Sequence, residues 1–410
     1  MEVSKENTSN RWLSIVGIGQ DGADSLSPLA KSLVSSAELV VGGARHLELA
    51  AQLIKGERLP WPSPLHNAFP EILARRGRPV VVLASGDPFN FGVGKQIASL
   101  VSADELVSVP QPSSFSLASN RLSWALQDAA TITLHGRALE SLIRYLQPGA
   151  RILALSWDGA TPAKAAKLLS ERGFGGSSIS VLEDLGGPKE RVTHHRADGF
   201  ELTGVSPLNL MAIEVAAGPK SRMIGLSPGL DDDFFESDGQ LTKREVRAVT
   251  LAALAPRQGE LLWDIGLGAG SIAIEWLLRH SSLRAIGVEE REDRAARAMR
   301  NALALGTPDL QMIIGHAPQA LAGLLPPNAV FIGGGFTDEG VFEAAWTALR
   351  PGGRIVANAV TLESETRLKE AFERHGGELV RIEIDKVVKI GGFHGWRPAM
   401  PVIQWRAVKP

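Results

Sequence analysis

Asp264 to Gly270 reads Asp-Ile-Gly-Leu-Gly-Ala-Gly, with an apolar run, Leu261–Ile265, leading in and a helix-forming apolar run, Ser271–Leu278, leading out. A buried strand, a glycine turn and a helix in that order form the start of a nucleotide-binding crossover, which commits the flanking chain to an α/β sheet. The spacing then narrows the ligand. A dinucleotide fingerprint requires G-x-G-x-x-G, but here the third glycine arrives one residue early, at Gly270, and position 271 is Ser. Ser271 therefore counts against a nicotinamide dehydrogenase, a reading that tight NADH binding would restore.

An acid two residues before the first glycine, followed by G-x-G-x-G, resembles the S-adenosylmethionine loop of Rossmann-like methyltransferases. The resemblance implies cofactor contacts from Asp264, Gly266, Leu267, Gly268, Ala269 and Gly270. S-adenosylmethionine has no phosphates and carries a sulfonium cation, so such a loop is not chiefly an anion cradle. Its glycines let backbone approach the methionine and ribose portions without an intruding Cβ. Asp264 is placed to hold either the loop or the ligand ammonium. A second apolar strand, Leu283–Val288, ends in Glu289. A carboxylate there can take both ribose hydroxyls, as the acid about 20 residues after a glycine loop does in dinucleotide folds.

The 410 residues imply two or three domains, each able to bury its own core. A net charge of −2 argues against nucleic acid or a membrane surface as the main partner. Without a single Cys, the chain has no disulfide, thiolate metal site or Cys nucleophile, and it suits a reducing compartment. The polar stretch 1–10 reads as a disordered tail with no secretory signal, and no apolar run approaches about 18 residues. The expectation is a cytoplasmic α/β protein.

In the first half, short apolar strands alternate with helices. Trp12–Ile18 runs into Gly17-Ile18-Gly19-Gln20-Asp21-Gly22, Leu39–Val41 ends in Gly42-Gly43, and Pro79–Ala84 ends in Ser85-Gly86-Asp87-Pro88. Leu106–Val109 leads to Pro112-Ser113-Ser114-Phe115, which opens the next helix. That alternation means a mostly parallel sheet. His194 and His195 are adjacent on an expected strand, face opposite sides and would not chelate one ion, so no metal is expected.

These landmarks, in this order, resemble the tetrapyrrole (corrin/porphyrin) methylase family. Thr133-Leu134-His135-Gly136-Arg137 and Glu183-Asp184-Leu185-Gly186-Gly187-Pro188 resemble segments of its corrin-precursor branch. The resemblance implies two α/β lobes, at about 11–112 and 125–217, with S-adenosylmethionine in the cleft between them. Its implied contacts are Gly17, Gly19, Gly86, Asp87, Ser113 and Ser114. The chain departs from the family pattern at Gln20-Asp21, usually Pro-Gly, and at Gln111-Pro112, usually Gly-Ile.

Residues 218–228 read as an interdomain linker rich in Gly and Pro. Beyond it Thr242 and Glu245 have the spacing of a capping box, and Val246, Val249, Ala253 and Leu254 line one helical face. Further strands follow at Met312–Gly315, Val330–Ile332 and Ile355–Val360, with two final ones near 379–384 and 402–406. Asp231–Phe235, Thr242-Lys243-x-Glu245-Val246-Arg247, Phe331-Ile332-Gly333-Gly334 and Ala357–Glu363 resemble the decarboxylating methyltransferases of cobalamin biosynthesis. The second half, 229–410, is thus expected to be a Rossmann-like, seven-stranded S-adenosylmethionine-dependent domain, with Thr242 and Ala317 adding cofactor contacts.

In series, the two resemblances imply methylation of two meso carbons of a corrin precursor and loss of carbon dioxide from a ring acetate. Such a substrate carries many carboxylates, for which Arg and Lys are the matching donors. Lys243, Arg244, Arg247, Gly333 and Gly334 are the candidate substrate contacts, with His135, His394 and Arg397 as candidate catalytic groups. The alternatives left open are a cobalt-containing substrate and a first half that only binds. Both parent families tend to associate, so a homo-oligomer is expected.

Overall fold

The computed structural model describes residues 11–410, so the expected tail at 1–10 lies outside the described residues. The chain divides into two compact units, 11–137 with 147–222, and 138–146 with 223–410. The stretch expected as a linker is shared between them. Gly218 and Arg222 donate their amides to Gly173 and Arg172 in the first unit, while Met223 begins the second.

The first unit contains two five-stranded sheets. Strands β1 (Leu13–Ile18), β2 (Leu39–Gly42), β3 (Glu57–Pro60), β4 (Val80–Ser85) and β5 (Leu106–Val109) are all parallel, in the order β3-β2-β4-β1-β5. Each of β1, β2 and β4 is a near-continuous apolar run because both faces are covered, as parallel sheets require. The second sheet has the order β6-β7-β10-β8-β9, formed by β6 (Ala129–Thr133), β7 (Arg151–Leu155), β8 (Ser178–Glu183), β9 (Arg191–Arg196) and β10 (Asn209–Glu214). Only β6 and β7 pair in parallel there. On β9, His194 bonds Ser180 and His195 packs on Phe200.

The second unit is built on a seven-stranded sheet, in which β11 (Leu261–Ile265), β12 (Arg284–Glu289), β13 (Gln311–Ile314), β14 (Ala329–Ile332) and β15 (Arg354–Ala359) run parallel. The order is β13-β12-β11-β14-β15-β19-β16, closed by the antiparallel strands β16 (Glu378–Ile382) and β19 (Val402–Val408). Between these two lies an antiparallel hairpin, β17 (Asp385–Ile390) and β18 (Phe393–Pro398), which the sequence reading did not foresee. Phe336, Phe342, Trp346 and Trp405 pack ring against ring over one face. Among the described residues, no helix is long and apolar enough to cross a membrane.

Two local expectations are corrected. The helix after the capping-box sequence spans Arg244–Leu254 with Lys243 at its N-cap, and no side chain caps it. The Thr242 carbonyl is taken by Arg247 instead, and Glu245 pairs with Lys386 at 3.2 Å. The buried face of this helix is Val246, Arg247, Thr250, Leu251 and Leu254, while Val249 is exposed. Apolar periodicity misses it because two of the buried positions are polar.

Candidate active site

The glycine loop joins β11 to the helix Ser271–Arg279 at the carboxyl edge of the sheet, where parallel α/β sheets bind their ligands. Gly266, Gly268 and Gly270 all have positive φ, at 72°, 57° and 80°. At Gly266 a Cβ would sit 2.9 Å from the Gly334 amide nitrogen, so this glycine lets two backbone segments meet. Gly270 turns away from the cavity: its Cβ would press on Ala298, 3.2 Å away. It serves the packing of the helix Glu292–Ala304 rather than the ligand side.

A cavity of about 930 Å³ opens over the loop. It brings together eleven of the sequence candidates: Thr242, Lys243, Asp264, Gly266, Leu267, Gly268, Ala269, Glu289, Ala317, Gly333 and Gly334. Glu289 is 5% exposed; its Oε2 accepts from the Gly268 amide at 2.8 Å and its Oε1 from the Arg291 amide at 3.2 Å. Asp264 is wholly buried, with Oδ2 accepting from the Ala273 amide at 3.0 Å and Oδ1 left without a hydrogen-bond partner among the described residues. Burial, and secondarily the nearby Glu289 charge, push its carboxyl from its ordinary 3.8 up to about 8.

A cradle that a Cβ would fill, an orphaned buried carboxyl oxygen and a carboxylate at the next strand end together suit a ligand with an ammonium and a ribose. The raised Asp264 value has a measurable consequence. The folded chain keeps a proton that the unfolded chain releases above about pH 4, so this group's contribution to stability declines as pH rises from about 4 to about 8. Asp264→Asn should flatten the thermal midpoint of the ligand-free protein across that window while weakening cofactor binding. An unaltered slope of midpoint against pH would count against the assignment.

Other candidates go elsewhere. Arg247, expected to meet substrate, is fully buried: it donates to Glu275 at 2.6 Å, to the carbonyls of Thr242 and Leu230, and to Asp232. Arg244 pairs with Asp231 at the surface. His394 and Arg397 lie on the exposed hairpin and do not line the cavity. Residues the sequence reading missed supply its polar rim: Arg294, Asn358 and Lys386. Asn358 lies within the resembling segment Ala357–Glu363, but its role needs the fold, which joins it to Thr250 and Gln404 at 3.0 and 2.9 Å.

In the first unit Gly17, Gly86 and Ser113 converge. A Cβ on Gly17 would lie 1.9 Å from the Gly86 carbonyl oxygen, and one on Gly86 would lie 3.1 Å from the Ser113 Cα, so these glycines serve backbone crossing first. A Cβ on Gly19 would meet the Asp21 carboxylate. Asp87 accepts from the Phe89 amide, Ser113 caps the helix that Ser114 opens, and His135 is exposed beside Trp157. The departures from the family pattern are used as side-chain ties. Gln20 donates to Asp184 at 3.2 Å, and Gln111 donates to the Ser25 carbonyl at 3.2 Å.

A two-lobed α/β unit in series with a Rossmann-like sheet, glycine cradle and strand-end acid defines a two-domain methyltransferase. Residues 13–200 match the family described as Tetrapyrrole (Corrin/Porphyrin) Methylases, and residues 233–409 match the Precorrin methyltransferase domain. A precorrin-6Y C(5,15)-methyltransferase (decarboxylating) of Sinorhizobium sp is 55% identical, over 97% of this chain and 96% of that one. The Mycobacterium tuberculosis (strain H37Rv) protein of the same name is 38% identical over 96% and 99%. A probable cobalt-precorrin-6B C(15)-methyltransferase (decarboxylating) of Saccharolobus solfataricus is 35% identical over 40% of this chain and 85% of that one. The chain belongs to the precorrin-6Y C5,15-methyltransferase (decarboxylating) family.

Proposed function

We propose that this chain methylates a corrin precursor of the precorrin-6Y/6B type twice, at C5 and C15, and removes carbon dioxide from the ring-C acetate to give precorrin-8. The first unit acts at C5; the second acts at C15 and on the acetate. S-adenosylmethionine supplies an already activated methyl group to each unit. The observation that carries this reading is the Asp264–Glu289 cradle opening into a cavity with cationic groups on its rim.

The protein's task is then placement. Holding donor and acceptor at near-attack distance in one orientation supplies several kcal/mol without a strong nucleophile. Glu289 orients the ribose, Asp264 the ammonium, and the glycine loop presents backbone. Lys243, with no carboxylate at ion-pair distance among the described residues, is free to meet a substrate carboxylate, and Lys386 can exchange Glu245 for one. Loss of carbon dioxide needs an electron sink, which the macrocycle supplies once a meso position is protonated or methylated.

Mass spectrometry of the product from metal-free precorrin should show a gain of two methyl groups and a loss of one carbon dioxide. Calorimetry should count two S-adenosylmethionines per chain; a count of one would confine methyl transfer to a single unit. The cobalt-precorrin relative motivates a parallel assay with cobalt-containing macrocycle, and faster turnover there would shift the substrate to that form. A cytoplasmic homo-oligomer completes the proposal.

A further inference from the structure

We infer that Ser85, His46 and Arg45 form a proton relay in the first unit, which takes up the hydrogen that a meso carbon sheds after gaining its methyl group. This rests on the C5 activity proposed above. His46 Nε2 lies 2.8 Å from Ser85 Oγ and 3.1 Å from an Arg45 Nη, and the same Nη lies 3.1 Å from Ser85 Oγ. A guanidinium has no acceptor, so Nε2 is the unprotonated ring nitrogen, its one lone pair shared between the nearer Ser85 hydroxyl and the Arg45 Nη, and the imidazole proton sits on Nδ1. Ser85 therefore donates to His46 and accepts from Arg45, the arrangement of a hydroxyl prepared to pass its proton on. Nδ1 is buried and has no hydrogen-bond partner among the described residues.

The cluster stands at the carboxyl edge of the parallel sheet, the edge at which α/β sheets bind their ligands. Ser85 is the exposed last residue of β4, directly before the Gly86 turn, and Arg45 and His46 open the helix Ala44–Leu49 at the end of the neighbouring β2. Burial, then the Arg45 charge, hold His46 down at about 4, so it is neutral throughout the working range. From the other lobe Asp184, which accepts from Gln20, acts on Arg45 through space. No carboxylate lies at ion-pair distance from Arg45 among the described residues, leaving it facing Ser85 and His46.

The step balances within these groups. In the methylated cation the meso C–H bond breaks and its electron pair re-enters the conjugated ring. The proton passes to Ser85 Oγ as the serine's own proton moves to His46 Nε2. A C–H beside a cationic conjugated system is acidic, so a weak base is sufficient, and Arg45 stabilises negative charge developing on the serine oxygen.

The test uses the full chain, S-adenosylmethionine and metal-free precorrin with hydrogen or deuterium at C5. His46→Gln and Ser85→Ala should slow C5 methylation roughly 100-fold, the scale of a general base, while C15 methylation continues in the same molecules. Proton removal then becomes rate-limiting, so the variants should show a primary deuterium isotope effect larger than the wild type's. The relay is overturned if both variants methylate C5 at the wild-type rate, or if they lose it without a larger isotope effect. It is also overturned if the loss follows weaker cofactor binding in the first unit. A wild-type chain that makes the C15 product but never the C5 product would sink the proposed C5 activity itself, and the relay with it.

Discussion

Glu289→Ala is expected to abolish C15 methylation at ordinary cofactor concentration and to leave C5 methylation intact. The carboxylate is buried, and two of its lone pairs are taken by the Gly268 and Arg291 amides. Its remaining acceptor capacity faces the cavity, where it suits a pair of ribose hydroxyls. Hydrogen bonds to a charged group are worth about 1.5–3 kcal/mol each, so losing two should weaken binding in the second unit by roughly 100- to 10,000-fold. The loop also loses its tie at Gly268, which adds to the effect. Calorimetry should show one of the two binding events displaced to high ligand concentration, with C15 product missing by mass spectrometry. Glu289→Gln keeps an acceptor for Gly268 but offers an amide hydrogen to one hydroxyl, so its defect should be intermediate. An unchanged C15 yield at low cofactor concentration would remove Glu289 from the site.

Glu289 is legible in the sequence because its signal is local. An apolar strand, a glycine turn and an acid at the next strand end are separated by fixed numbers of residues, and parallel strands β11 and β12 bring their ends together by register alone. The same holds for Gly266 and Gly268. The hairpin β17–β18 was illegible for the opposite reason. Its Val387, Ile390, Phe393 and Trp396 are exposed, so their placement answers to no core of the described chain, and no period fixed where its strands begin. Gly17 and Gly86 come together in space, but their closest physical demand is backbone crossing, which only the three-dimensional path reveals.

The Ser85, His46 and Arg45 grouping is legible in neither half of the sequence. The residues sit 39 and 40 positions apart and meet because β2 and β4 are neighbours in the sheet. Arg247 shows a different limit. A charged residue at the start of an amphipathic helix is ordinarily solvated, and the many carboxylates of the implied substrate are what make it a candidate contact. The missed signal was Glu275, one acid inside the apolar run Ile272–Leu278, which needs a buried cation somewhere in the fold.

Arg247→Ala is accordingly expected to destabilise the second unit by about 3–5 kcal/mol, the usual consequence of leaving one member of a buried ion pair uncompensated. Both side chains are 0% exposed, and Glu275 also accepts from the amides of Gly229 and Leu230 at 2.7 and 2.9 Å. Arg247 in turn holds the Leu230 and Thr242 carbonyls and lies 4.6 Å over the Phe235 ring. The pair therefore fastens both ends of the segment from Gly229 to Thr242, whose last residues form part of the cavity wall. For a unit of this size the loss corresponds to a fall of roughly 10 °C in the midpoint of thermal unfolding. Glu275→Gln added to Arg247→Met should recover much of it, because the amide keeps one acceptor for the loop and no charge is stranded. A substrate contact would behave in the reverse way, raising the KM for macrocycle while the midpoint stayed put. If Arg247→Ala did that, the buried pair would not be the residue's main role. If the midpoint falls and activity per folded molecule persists in the cold, Arg247 shapes the cavity from behind and touches nothing that reacts.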